Sequence, residues 1–168
     1  MRSSLDLAKH IIYLLNRKEG CSVSNTKVQK ILYSYIGFAL SSKKNKVPKE
    51  VLIDELPNAW DNGPVFPNVY KFIKNFHGSI KQLGANLLEL TKNERIVLEK
   101  TVDALGKFSA GKLSAWSHLP NSPWDKVYNL QEAKYHKIPL ELIKSYFEEE
   151  IECIEEFANV KNYEKTED

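Results

Sequence analysis

The chain has 168 residues, a length that suits one domain able to bury a single core without metal or disulfide staples. With 42% apolar and 27% charged residues it is too hydrophobic for whole-chain disorder, and no window approaches the ~20 uninterrupted apolar residues of a membrane span. The net charge of +2 conceals a division: residues 1–140 carry 21 Lys or Arg against 12 Asp or Glu, whereas residues 141–168 carry 3 against 10, so a basic body precedes an acidic end.

The chain opens with MRSSLDLAKHIIYLLNRKEG. Charges bracket its apolar run and no small-residue cleavage site follows, so a helix is expected in place of a signal peptide. Ser3 or Ser4 supplies the cap, Leu5, Ala8, Ile12 and Leu15 the apolar face, and Gly20 the stop. The two cysteines, Cys21 and Cys153, lie in separate segments without CxxC spacing, a pattern that fits a reducing cytoplasm and neither a disulfide framework nor a zinc site.

Ser24 or Asn25 caps a second helix in which Val28, Leu32, Tyr35 and Ala39 form a stripe that Ile31 and Phe38 widen, as a central and largely buried helix requires. KKNKVPKE, with Lys43, Lys44, Lys46 and Lys49, reads as an exposed connection broken by Pro48. VLIDELPNAW fits either a short strand or a helical turn. In AWDNGPVFPNVYKF, residues 59–72, Asn62, Gly63 and Pro64 are expected to end regular structure and turn the chain, because Pro64 lacks a donor and pushes Gly63 out of helical backbone. Pro67 then opens a helix with Val69, Phe72, Ile73 and Phe76 on one face. SIKQLGANLLELT lacks helical periodicity at its start, and a small hairpin or an irregular crossing are its two readings.

Thr91 and Glu94 have capping-box spacing ahead of a helix bearing Ile96, Val97, Val102 and Leu105. Ser109 caps a shorter helix through Leu113 and Trp116, and Ser122-Pro123-Trp124-Asp125 supplies a further cap with proline at the first helical position. Pro139 opens the last helix, with Leu142, Ile143, Tyr146, Ile151, Ile154 and Phe157 among its apolar positions. The expectation is a mainly α, compact single-domain helical bundle of about six to eight helices, with room for a small strand pair.

Three function classes remain. His118 and Asp125, with Ser114 or Ser117, invite an acid/base or nucleophilic reading, but no GxSxG, HExxH, P-loop or GxGxxG accompanies them, and a histidine among tryptophan and proline is more often structural. The basic body and eight tyrosines suit nucleic acid, although the lysines do not gather on one helix face and no recognised motif appears. A protein-binding module is the third class, since rigid Pro-Gly corners dense in Trp and Tyr lose little entropy on binding. Against it stands the plain reading that Trp60, Trp116 and Trp124 build one aromatic core.

The succession NTKVQKILYSYIGFAL, AWDNGPVFPNVYKF, LSAWSHLPNSPWDKVY and IPLELIKSYF resembles the Panacea family, the SocA-like antitoxin domain also found in phage-associated proteins. The resemblance rests on Lys27, Lys30 and Tyr33, on Ala59, Trp60, Gly63, Pro64, Val65 and Tyr70, and on His118, Pro123 and Trp124, with Trp116 in the same stretch. It spans residues 5–148 and leaves 149–168 as an acidic C-terminal extension. It implies a mainly helical domain and no enzyme activity; no cofactor is expected, and the cytoplasmic expectation is that of the cysteine pattern. Its motif residues would be structural or partner-binding, and its partner would be a toxin from a neighbouring gene, held directly or presented to a cellular protease. A basic nucleic-acid-binding or phage-associated regulatory protein is the alternative.

Overall fold

The computed structural model describes residues 1–84 and 88–150. Ile151, Ile154, Phe157, most of the acidic extension and the centre of SIKQLGANLLELT lie outside the described residues. The chain is mainly α-helical: α1 (Ser4–Asn16), α2 (Asn25–Ser41), α3 (Lys49–Leu52), the hairpin β1 (Asn58–Trp60) and β2 (Gly63–Val65), α4 (Pro67–Asn75), α5 (Lys92–Leu105), α6 (Ala110–Ser117), α7 (Pro123–Asp125) and a helix α8 over 140–150.

Local chemistry sets most of the helix starts. Ser3, Ser24, Ser109 and Ser122 each accept from the backbone N–H three residues on, satisfying a donor the first turn leaves over. Thr91 and Glu94 complete the capping box. Glu94 is almost fully buried and receives Arg2 in a two-pronged pair, Nε to Oε1 at 2.7 Å and Nη2 to Oε2 at 2.8 Å. Burial alone would raise its carboxyl pKa, but the Arg2 and Thr91 bonds outweigh that and hold it below the ordinary value. The amino terminus is thereby tied to the start of α5.

The core is built around α2, which packs against α1, α4, α5, α6 and β2. Thirteen of its 17 residues are buried, so the helix is enclosed on more sides than its apolar stripe indicates. Val28, Ile31, Leu32, Tyr35, Ile36 and Ala39 meet Leu7, Ile11, Ile12 and Leu15 of α1 and Val97, Leu98 and Val102 of α5 in one cluster. Gly37 lets α8 lie directly on the α2 backbone, because a Cβ there would run into the ring of Phe147. Phe147 is the hub of an aromatic group with Phe38, Tyr33 and Trp116 at ring separations of 5.1, 5.7 and 6.2 Å.

VLIDELPNAW divides between its two readings, a helical turn at α3 and a strand at β1. The lysine loop after α2 is exposed apart from Asn45, which is half-buried, and Val47, which is buried in the core. Gly63-Pro64 does not end regular structure: it forms β2, antiparallel to β1 in the register Asn58↔Val65, Ala59↔Pro64 and Trp60↔Gly63. A two-stranded hairpin is all edge, and proline's missing donor is tolerated there. Ile80–Leu83 is a 3₁₀ turn, and neither arm of the SIKQLGANLLELT hairpin reading is a strand among the described residues.

Candidate functional site

The site grows from the turn of the hairpin. Asp61 and Asn62 link the strands with no positive φ, and Gly63 follows at φ +101°, a left-handed conformation that closes the turn. The tip leaves a row of carbonyls, and the stretch 113–136 takes them one by one. Trp124 Nε1 donates to Trp60 O (2.7 Å), His118 Nε2 lies 3.1 Å from Asp61 O, Ser114 Oγ donates to Asn62 O (2.8 Å), and the backbone N–H of Tyr135 donates to Ala59 O (2.7 Å). Lys30 of α2 reaches Pro64 O from beneath, Nζ donating at 3.0 Å. The Gly63-Pro64 and Pro123-Trp124 corners are therefore one structure.

The side chain of Asp61 is held from the same stretch. The hydroxyls of Tyr128 and Tyr135 donate to its two carboxylate oxygens, the second at 2.8 Å, and these bonds lower its pKa, so the group is an exposed anion. Tyr128 sits on the π-helical turn Lys126–Leu130 that continues α7 and stacks on Trp124 at 4.5 Å. Tyr135 has φ +67°, an uncommon backbone for a bulky residue, yet is 52% exposed. Trp60, Tyr70 and Tyr135 meet edge to face, with ring separations of 5.0 and 6.3 Å from Trp60, around an open cleft of about 230 Å³ that Asp61, Asn62 and Thr26 also line.

Of the residues singled out in the sequence, Trp60, Gly63, Pro64, Val65, Tyr70, His118, Pro123 and Trp124 gather on or beneath this hairpin. Lys27, Lys30 and Tyr33 are buried in α2. Lys27 reaches Ser22 Oγ at 3.4 Å, and Tyr33 belongs with Trp116 to the Phe147 group. The tryptophans do not build one aromatic core: Trp116 lies in the Phe147 group, Trp124 packs on His118 and Tyr128, and Trp60 is half-buried at the cleft. The side chains of His118, Asp125 and the serines bond to backbone and amide groups and not to one another. His118 Nδ1 faces Ser114 O, Ser117 Oγ donates to Ser114 O (2.7 Å), and Asp125 accepts from Asn121 N and Asn129 Nδ2. Asp61, Tyr128 and Tyr135 were missed, because they meet only through contacts 67 and 74 residues apart in sequence.

Lys30 has no exposed surface, and burial lowers its pKa from 10.5 to about 7. Between those values the unfolded chain holds a proton that the folded chain does not, so this group makes stability rise with pH across pH 7–10.5, and its penalty is fully present below pH 7. Lys30→Met removes that dependence. Urea unfolding at pH 7 and pH 9 is expected to show wild type gaining about 2–3 kcal/mol on the variant, at a linkage slope near 1.4 kcal/mol per pH unit. A difference independent of pH would remove the buried amine from this account.

Taken together, the fold and site define a small helical protein whose distinctive surface is a rigidly braced hairpin tip. The chain belongs to the family described as antitoxin SocA-like, Panacea domain, whose sequence profile matches residues 28–125, from the fourth residue of α2 to the end of α7. It is similar to Antitoxin SocA of Caulobacter vibrioides (strain NA1000 / CB15N), 29% identical over 119 residues, a match covering 64% of this chain and 61% of that relative. No solved structure matches. No helix among the described residues is long and apolar enough to cross a membrane.

Proposed function

We propose that this protein is a cytoplasmic antitoxin that neutralises a toxic protein encoded beside it by binding it directly. The observation that carries the reading is the family match, whose span includes every group set against the carbonyls of the hairpin tip except Tyr135. The braced tip supports it physically, since a surface fixed before association loses little conformational entropy when it binds. Leu119, Leu130 and Tyr135, three of the large apolar side chains left exposed, all lie in the stretch that clamps the tip. Exposed apolar and aromatic groups on a rigid frame are the usual makings of an interface. The reading involves no catalytic step and no cofactor.

Cells expressing the adjacent open reading frame alone are expected to stop growing, and co-expression of this protein to restore growth. Toxin abundance in the rescued cells separates the two routes: unchanged for blocking, reduced in a protease-dependent way for delivery. A harmless neighbour, or arrest without rescue, would overturn the antitoxin reading.

A further inference from the structure

The cleft beside the hairpin tip has a chemistry that narrows what enters it. Its walls are the rings of Trp60, Tyr70 and Tyr135, and Asp61 supplies an anion to the same space. Two tyrosine hydroxyls fix that carboxylate while leaving each oxygen further lone-pair capacity. Ammonium groups already rest near aromatic faces of this region, Lys74 Nζ lying 5.7 Å from the Tyr70 centroid and Lys134 Nζ 4.9 Å from that of Tyr128, and Lys134 also acts on Asp61, so a cationic guest enters in competition with them. Tyr135 contributes one wall from left-handed backbone and remains half-exposed, so core packing does not account for its conformation.

An anionic guest is disfavoured. It would meet the Asp61 carboxylate, and the one lysine lining the cleft, Lys30, has no surface to offer and donates to Pro64 O beneath it. Burial also draws Lys30 toward its neutral form, which reduces its repulsion of a cation. A planar guanidinium stacks on aromatic faces and bonds to a carboxylate in one pose, which an ammonium does less well.

We propose that the cleft framed by Trp60, Tyr70, Tyr135 and Asp61 receives an arginine side chain of the partner protein. This deepens the antitoxin reading and rests on it for the partner. The toxin would present the arginine from an exposed segment, stacked against Trp60 and Tyr135 and paired with Asp61, while the braced backbone keeps the cleft open before contact.

The experiment uses the whole chain and no toxin, so its result is independent of growth rescue. Arginine blocked at both ends is titrated into 15N-labelled protein to about 100 mM, the range expected of one side chain removed from its interface. The indole N–H signals are followed, with Trp60 assigned from Trp60→Phe. Blocked citrulline serves as the uncharged control of the same shape. Arginine is expected to move the Trp60 signal saturably and citrulline to bind at least fivefold more weakly. Asp61→Asn should bring arginine down to the citrulline level. Tyr135→Gly, which suits the left-handed backbone, should also lose arginine binding with melting temperature kept or raised, an outcome that a purely structural role for Tyr135 does not give. Equal binding of arginine and citrulline, unchanged arginine binding in both variants, or no movement of the Trp60 signal would overturn the proposal. If rescue succeeds alongside any of these results, the antitoxin reading stands and this one falls.

Discussion

Replacing Trp124 with alanine is expected to lower the free energy of unfolding by about 3–5 kcal/mol, the range for removing a buried aromatic side chain. The side chain is 5% exposed and has three roles in one place. It fills the space between His118, at 3.9 Å between ring centroids, and Tyr128, stacked at 4.5 Å, and its indole N–H satisfies Trp60 O. Trp124→Phe separates the ring from the hydrogen bond. It keeps much of the packing and leaves the carbonyl without its donor, at an expected cost of about 1–3 kcal/mol. Trp60→Ala should cost less than Trp124→Ala, because Trp60 is half-buried and its neighbour Tyr70 is too. Urea unfolding of the three variants gives the order. A Trp124→Ala midpoint equal to wild type would mean that the two corners do not brace one another.

How much of this was legible in the sequence follows from the range of each interaction. The serine and threonine caps were readable because cap and recipient lie three residues apart, as at Ser24 with Lys27 or Thr91 with Glu94. The mainly helical architecture followed from the same local signals. The hairpin was not readable as such, because Pro64 marks a break by its own chemistry and only its partner Ala59 shows that the break lies within a ladder. The depth of α2 was underestimated because Lys27, Gln29, Lys30 and Ser34 count as polar in a periodicity argument yet are all buried. Gln29 shows why such burial is tolerated: its Oε1 accepts from Phe66 N and its Nε2 donates to Asn25 Oδ1.

The family resemblance located most of the clamp before any distance was known, but it did not give the residues their roles. His118 and Ser114 illustrate the point. Read locally, a histidine four residues after a serine suggests chemistry; in the fold, Ser114 Oγ and His118 Nε2 face consecutive carbonyls of a turn more than fifty residues away. Ser114 Oγ is therefore a donor to the tip, whereas His118 has a carbonyl against each ring nitrogen, Ser114 O at Nδ1 and Asp61 O at Nε2, and with one N–H it donates to one of them. The clamp thus accounts for a motif of mixed polar and aromatic residues without assigning any of them to a reaction. It also leaves Asp61, Tyr70 and Tyr135 as the surface that the motif supports.

The second large effect is expected at Gly63. Alanine there meets two independent obstacles. The φ of +101° is backbone that L side chains rarely adopt, at a cost of about 1–3 kcal/mol. The added Cβ would also lie 2.5 Å from Ser117 Oγ and 2.9 Å from Lys30 Cε, so the Ser117 hydroxyl and the buried Lys30 side chain would have to shift, at a further cost of about 1–3 kcal/mol. The sum predicts Gly63→Ala to be destabilised by about 2–6 kcal/mol in urea unfolding, an effect comparable to losing Trp124. The two obstacles are separable. Ser117→Ala removes the nearest atom, and in a double-mutant cycle Gly63→Ala should cost less in that background by the steric share, leaving the backbone share intact. If the cost does not change with Ser117→Ala, the close approach of α6 to the turn is not what requires glycine. If Gly63→Ala unfolds at the wild-type midpoint, neither the left-handed turn nor that approach can be as described. Loss of stability without coupling and loss with coupling therefore distinguish a turn that merely needs glycine from a turn pressed against Lys30 and Ser117. The second is the arrangement that holds Asp61 and Asn62 at the cleft, and it predicts that whatever strain Gly63→Ala leaves in the folded state will weaken occupancy of that cleft as well.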